Sequence, residues 1–458
     1  MPRKTGSLHK RFAKMQIKLI LVAILCAAII LYLYVSASNC CNANAIPNSN
    51  IPNSNIPNSS VREFQATNLF DGGYNHTYHV NSTITGLDIT LNSTLAPFMT
   101  IYGNTLLTGT GPSTGAGASF KGSVVALNTV SGKIIWRTIL PNFVMSEPLI
   151  VGNDVIVEMG KSQPSYPNGI IALNINNGTV VWSTITNQTA MVMPIYINNV
   201  IYASGGEFMY LMDPQNGTVI KSFLINPEIS MAQPIFVKGT IYQNMYYLGN
   251  FVVAGINTSS WKILWETKIN NASGLNDATP SFYLGNIIVG YYNYKMGANL
   301  SNPRGTITIE ALNSSDGHVA WLNILHNNTP NIDLKYPYIG GYPESGPILS
   351  PITIYKGIGY VDSNTQGILY AFNATTGKVY WAFLTNSDNT NPNIKDGLLF
   401  MVNEGGELFV INATSGNIIS ARDIGMPSVA NEAIIADNSM IIGSINGTIR
   451  SFPLNSVE

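Results

Sequence analysis

Residues 124–136, VVALNTVSGKIIW, decide the fold, because the chain repeats their plan seven times. In each copy an apolar run ends in Asn or Asp, at Asn128, Asn174, Asp213, Asn257, Asn313, Asn373 and Asn412. Four residues on stands Gly132, Gly178, Gly217, Trp261, Gly317, Gly377 or Gly416. Eight residues on stands Trp136, Trp182, Lys221, Trp265, Trp321, Trp381 or Ser420. An Asn or Asp side chain bonds its own backbone two residues on, and Gly takes the positive φ that such a turn needs. The flanking Val, Ile, Leu and Tyr suit strands, and the gap fits a four- or five-residue hairpin around a type I turn. Trp136, Trp182, Trp265, Trp321 and Trp381 share one slot on the second strand of the hairpin. There a large ring is expected to dock one unit on the next while its N–H finds a partner, which makes these residues packing elements and not a ligand cage.

The intervals between successive Asn or Asp positions, by subtraction, are 46, 39, 44, 56, 60 and 39 residues. A period near 40 with four strands per unit marks a β-propeller. The unit x-A-L-N-x-x-x-G-x-x-x-W resembles the repeat of PQQ-like β-propellers of the quinoprotein-dehydrogenase superfamily, over roughly residues 96–454. Between the copies lies a second pattern, an apolar strand opened by X-Pro, at Glu147-Pro148, Met193-Pro194, Gln233-Pro234, Thr279-Pro280 and Gly346-Pro347. Asn391-Pro392 and Asn431-Glu432 continue it. Proline is tolerated where a strand begins. Each blade is then two inner strands from this pattern and two outer strands from the Trp hairpin. Seven blades are complete between about residues 96 and 425, and a further three strands follow. An unpaired propeller edge is a liability. The strand-like residues 74–84, YNHTYHVNSTI, are therefore expected to complete an eighth blade shared by both ends of the chain, with seven blades and a loose tail as the alternative.

Composition narrows the setting. The net charge of −1 gives no electrostatic case for nucleic acid. Charged residues make up 10 % of the chain, well under the roughly 25 % typical of soluble domains, so the surface charge changes little in an acidic medium. Residues 1–18 carry Arg3, Lys4, Lys10, Arg11, Lys14 and Lys18 ahead of a 17-residue uncharged run from Leu19 to Val35. At about 1.5 Å per residue that run just spans a bilayer core, and the cations before it place the N-terminus in the cytoplasm. The expected organisation is a basic tail (1–18), a transmembrane signal anchor (19–36), a stalk (37–60) and an extracytoplasmic propeller (61–458) at the cell membrane. A cleaved signal peptide ending near Val35-Ser36-Ala37 is the other reading. The stalk repeats IPNSN IPNSN IPNSS, which builds no core. Fifteen Asn-x-Ser/Thr sequons make an exported chain a candidate glycoprotein.

Sites on propellers lie at the channel mouth, where inner strands begin, and the long connections 110–122, 161–168, 293–305 and 326–346 reach the same face. That mouth is expected to hold Glu147, Gln233, Asn391, Glu432 and Tyr342 as binding residues, with the carboxylates of Asp277 and Glu344 as candidates for acid–base work. Carboxylates gathered there would raise one another's pKa. The superfamily resemblance implies PQQ and calcium beside a disulfide of adjacent cysteines. Here Cys40 and Cys41 stand on the stalk and Cys26 in the apolar run, so no cofactor and no metal is expected in the propeller. Cys40 and Cys41 are candidates for a vicinal or interchain disulfide or for lipid attachment. The chain resembles cofactor-free members of the superfamily that act as protein-binding scaffolds in envelope assembly. That resemblance implies a non-enzymatic binding protein whose partners are the membrane and an envelope protein or small extracellular ligand. A similarity in fold, export and low charge to tetrathionate hydrolases gives the enzymatic alternative, and a PQQ-dependent dehydrogenase the third.

Overall fold

The computed structural model describes residues 77–78 and, within 84–456, all but 85, 112–120, 145, 161–166, 187–190, 206–207, 225–227, 230–232, 248–249, 270–278, 295–304, 326–350, 364–366, 386–389, 427–432 and 437. The expected tail, anchor and stalk, with all three cysteines, lie outside the described residues, as do His76 and His79. No helix among the described residues is long and apolar enough to cross a membrane.

Eight antiparallel sheets follow one another along the chain, and they make the fold an eight-bladed propeller. Blade 1 consists of Leu95–Tyr102, Thr105–Thr110, Gly122–Asn128 and Ile134–Leu140, paired in that order. Blades 2 to 7 repeat the plan over 149–186, 191–224, 235–269, 281–325, 353–384 and 393–423. Second and third strands are buried on both faces, so they read as near-continuous apolar runs such as Val155-Ile156-Val157 and Ile170-Ile171-Ala172-Leu173. Alternate residues point to opposite neighbours. Val155 and Val157 join a cluster with Leu107 and Val124 of blade 1, whereas Ile156 joins one with Ile201 and Met212 of blade 3. Eight such clusters fill the eight seams, and no single central core exists.

The eighth blade is shared by both ends of the chain, but residues 74–84 do not fill the vacant outer place. That place is taken by Asp88–Thr90, which pairs antiparallel with Thr448–Pro453. Arg450 Nε lies 3.2 Å from Asp88 Oδ2, and Leu91 N–H donates to Gly447 O at 2.8 Å. Thr77–Tyr78 instead runs parallel to Ala433–Ala436 at the inner edge. The reason is chain length and pattern. Blade 1 begins at Leu95, so the segment just before it reaches the outer edge of blade 8 through a short connection. Leu87 and Leu91 are buried while Asp88 and Thr90 are exposed, the alternation a half-buried edge strand requires. A second correction concerns blade 6. Its inner strand is Thr353–Tyr355 behind Pro351, not a strand opened by Pro347.

The tryptophan slot docks the blades as expected. Trp136 Nε1 donates to Ile175 O at 2.8 Å, Trp182 to Pro214 O at 2.9 Å, Trp265 to Ser314 O at 3.0 Å and Trp381 to Thr414 O at 3.2 Å. Each acceptor sits in the hairpin turn of the next blade. Trp321 docks in the same place, but its buried Nε1 has no partner among the described residues. The turn glycine is needed twice over. Gly178 has φ 70°, and a methyl there would lie 2.5 Å from Trp136 Cε3. Two residues past the Trp, Thr138, Thr184 and Thr267 donate to the carbonyls of Gly178, Gly217 and Gly317 at 2.6, 2.6 and 2.7 Å.

The seam between blades 3 and 4 reverses the arrangement. Lys221 holds the strand slot, Phe223 replaces the threonine, and Trp261 stands in the glycine position with φ 53°. The Trp261 ring stacks between Tyr202 (6.1 Å) and Phe223 (6.4 Å), while Lys221 Nζ caps Phe223 at 4.3 Å. The aromatic mass is conserved but is delivered from the opposite blade, at the cost of a bulky residue in the left-handed region.

Candidate functional site

Antiparallel alternation sorts the connections onto two faces. On one face, first and second strands are joined by two-residue turns such as 152–153, 284–285 and 356–357, and third and fourth by the Asn-x-x-x-Gly hairpins. On the other lie all the long connections, between Thr110 and Gly122, Met159 and Asn168, Tyr294 and Gly305, and Leu325 and Thr353. Inner strands begin on this second face, which is the mouth.

Register fixes which residue each blade places there. Thr100, Leu149, Ile195, Ile235, Ser281, Thr353, Asn393 and Ile434 occupy equivalent positions, each opposite the third residue of the second-strand pairing. Two residues earlier come Phe98, Glu147, Met193, Gln233, Thr279, Pro351 and Asn391. Glu147, Gln233 and Thr279 are buried, and Asn391 is half-buried. The structure thus brings Glu147, Gln233 and Asn391 to one level of the mouth, in blades 2, 4 and 7. Asp277, Tyr342, Glu344 and Glu432 lie outside the described residues. In blade 6 the equivalent position belongs to Pro351.

Just below that level runs a set of clasps that the sequence did not announce. Thr100 Oγ1 donates to Pro148 O at 2.9 Å, Thr353 Oγ1 to Pro392 O at 3.0 Å and Asn393 Nδ2 to Ala433 O at 2.7 Å, and Ser281 Oγ donates to Ile352 O. Donor and acceptor positions are the same in all four seams. X-Pro before an inner strand therefore does more than start it, because the residue before the strand offers a carbonyl to the previous blade. Thr100 also approaches Glu147 Oε1 at 3.3 Å, which ties that carboxylate into the seam between blades 1 and 2.

Two buried carboxylates lie near this level, neither singled out by spacing. Glu158 is 4 % exposed on the second strand of blade 2, on the same side as Ile156 and hence facing blade 3. Its Oε1 has no hydrogen-bond partner among the described residues, and burial pushes its carboxyl well above the ordinary range. Glu310 is buried in the seam between blades 4 and 5, where Tyr291 OH donates to Oε2 at 2.9 Å. Burial raises its pKa, and the Tyr291 bond moderates the rise. The same burial, with the Glu310 charge beside it, pushes the Tyr291 phenol up. A carboxyl whose pKa burial has raised is better suited to hold a proton than to bind a cation.

The superfamily resemblance implies a quinone and a calcium ion at such a mouth. Glu147 is committed to Thr100, Glu158 faces the opposite seam, and the described residues contain no group of three His, Cys, Asp or Glu able to hold a metal. The described residues do not fit that pair.

A family model described as outer membrane protein assembly factor BamB matches residues 103–323 and 304–441. The chain is similar to the tetrathionate hydrolase of Acidithiobacillus ferrooxidans, 24 % identical over 390 residues, covering 78 % of this chain and 74 % of that protein. It is also similar to BamB of Yersinia pestis, 21 % identical over 266 residues, covering 53 % of this chain and 66 % of the other. Among solved structures, BamB from Moraxella catarrhalis aligns over 81 % of this chain and all of its own, with a TM-score of 0.57 at 14 % identity. Quinohemoprotein alcohol dehydrogenase from Comamonas testosteroni aligns over 86 % of this chain and 78 % of its own, with a TM-score of 0.53 at 13 % identity. With matches that run from residue 103 to 441 over repeated Trp-docked blades, the chain belongs to the BamB-like family of PQQ-type β-propellers.

Proposed function

We propose that this chain is a membrane-tethered propeller that presents its mouth face, outside the cell, to an envelope protein or small extracellular ligand, without a resident cofactor. The observation that carries this is the asymmetry of the faces. One face is closed by turns of two to five residues, whereas every long connection joins strand ends on the mouth side. Variable loops on one side of a rigid scaffold are where recognition is built. Glu147, Gln233, Asn391, Glu432 and Tyr342 are the residues assigned to binding. Membership of a family named for an assembly factor supports a binding role, and the cations ahead of Leu19–Val35 support the topology. A photo-crosslinking side chain placed at Asn391 in cells is expected to give a discrete adduct, and one at Lys356 on the opposite face none. Equal adducts from both, or none from Asn391, would remove the binding reading.

A second reading is favoured by the similarity to a tetrathionate hydrolase over most of the chain. On it, Asp277 or Glu344 assists S–S bond hydrolysis at the mouth in acid. Tetrathionate consumption by the purified protein at low pH, abolished in Asp277→Asn or Glu344→Gln, would establish it. No consumption would sink it.

A further inference from the structure

The hairpin face carries a regularity that turn chemistry does not require. The turn needs Asn or Asp at its start and Gly four residues on, and nothing in that need calls for Ser or Thr two residues after an Asn. Yet each hairpin of blades 2 to 7 contains an Asn-x-Ser/Thr sequon. In blades 4 to 7 it begins at the opening residue, Asn257, Asn313, Asn373 or Asn412. In blades 2 and 3 the opening Asn174 and Asp213 make none, and the sequon appears three residues later, at Asn177-Gly178-Thr179 and Asn216-Gly217-Thr218. The sequon persists although its place within the turn shifts.

The six acceptors are not equivalent, and Asn257 and Asn412 are half-buried. Asn216 Nδ2 is committed to Asp213 Oδ2 at 3.0 Å, and Asn373 Nδ2 to Tyr380 OH at 2.6 Å. Asn177 and Asn313 are exposed, and no protein group among the described residues accepts from their Nδ2. In both, the sequon hydroxyl donates to the asparagine's own Oδ1, Thr179 at 2.8 Å and Ser315 at 2.7 Å. That bond polarises the amide and leaves Nδ2 facing solvent. Beside these tips the edge strands expose Val180 and Val181, and Val319, Leu322 and Ile324. Neither Val180–Thr186 nor Val319–Leu325 carries a charge to deter edge pairing.

We propose that Asn177 and Asn313 carry N-linked glycans, which cover the apolar ends of these two edge strands. The inference rests on the reading that the propeller stands outside the membrane. In the reaction Nδ2 bonds to the anomeric carbon of a polyprenyl-phosphate-linked oligosaccharide. The anomeric C–O bond breaks, its electron pair leaves with the lipid phosphate, and the Nδ2 proton passes to a carboxylate of the membrane transferase. A bulky polar chain at a strand tip is the solubilising element that the missing charges would otherwise supply.

The test is mass mapping of peptides from the full-length protein purified from the membranes of its own source, alongside protease shaving of the intact cells. Hexose-bearing adducts are expected at Asn177 and Asn313, at higher occupancy than at Asn216 and Asn373. Thr179→Ala is expected to abolish the adduct at Asn177 while leaving Asn313 modified and the fold intact. Unmodified peptides at both sites in a propeller that is shaved from cells would overturn the proposal and leave the outside location standing. Unmodified peptides in a propeller that is not shaved would overturn both. Occupancy equal at all four sites would overturn the assignment to free Nδ2 groups.

Discussion

Replacing Gly178 with alanine isolates what the tryptophan docking contributes, because Gly152 in the same blade supplies a control. Both glycines have positive φ, 70° and 61°, so alanine at either site suffers the left-handed penalty of about 1–2 kcal/mol. A methyl at Gly152 meets nothing within 4 Å. A methyl at Gly178 lies 2.5 Å from Trp136 Cε3 and 2.6 Å from Thr138 Oγ1. Neither can retreat freely, since Trp136 is 7 % exposed, its Nε1 is bound to Ile175 O, and Thr138 is bound to the Gly178 carbonyl. Overpacking of that kind costs about 1–3 kcal/mol. Gly178→Ala is therefore expected to lose about 2–5 kcal/mol and Gly152→Ala about 1–2. With unfolding entropy of roughly 2 cal/mol/K per residue, 1 kcal/mol moves the Tm of a propeller this size by little more than 1 °C. Urea unfolding at fixed pH, read by tryptophan fluorescence and by circular dichroism, is the better assay. Equal losses for the two variants would refute the claim that the glycine is selected by the ring above it and leave only its φ.

Other consequences follow from the same geometry. Glu158 stays protonated in the fold at pH values where the unfolded chain has ionised it, so its contribution is full in acid and is lost as pH rises through its elevated folded pKa. Glu158→Gln is expected to match the wild type near pH 3 and to exceed it at neutral pH, with a residual slope from Glu310. An unchanged pH profile of urea midpoints would show that Glu158 is not protonated in the fold. At the reversed seam, Trp261→Gly is expected to cost about 2–4 kcal/mol, less than a usual Trp deletion because the left-handed strain is relieved. Adding Lys221→Trp should recover 1 kcal/mol or more of that roughly 0.5–3 kcal/mol range of coupling between contacting residues, and strict additivity in the double-mutant cycle would exclude the swap. Truncation through Val80 should change the melting transition little. Truncation through Leu91 removes the buried Ile84, Leu87 and Leu91 at about 1.5–3 kcal/mol each, and calorimetry that failed to separate the two truncations would contradict the closure by Asp88–Thr90.

Much of this molecule is local enough to be legible in a single sequence. Asn-x-x-x-Gly with Trp four residues on encodes a turn, a φ angle and a docking ring within nine residues, so repetition alone gives seven of the eight blades and the structural role of Trp136, Trp182, Trp265, Trp321 and Trp381. The starts of several inner strands were legible for the same reason, since X-Pro precedes them at Pro148, Pro234 and Pro392. Other features depend on partners far away in the chain. Two prolines, Pro347 and Pro351, each fit the start of blade 6, and the register is settled by Thr353 reaching Pro392 O across the next seam. Asp88–Thr90 rather than 74–84 closes the ring because Thr448–Pro453, some 360 residues on, presents the edge it must match. Nor does Val-Ile-Val-Glu-Met reveal that Glu158 is buried, because alternation along a strand places its side chain on one side without saying that another blade covers it. Local sequence thus determined the repeated unit, whose forces act within a hairpin. The closed ring decided which charges are buried, which strand completes the eighth blade, and how a seam survives with its tryptophan on the wrong side, because those outcomes depend on the packing of one blade against the next.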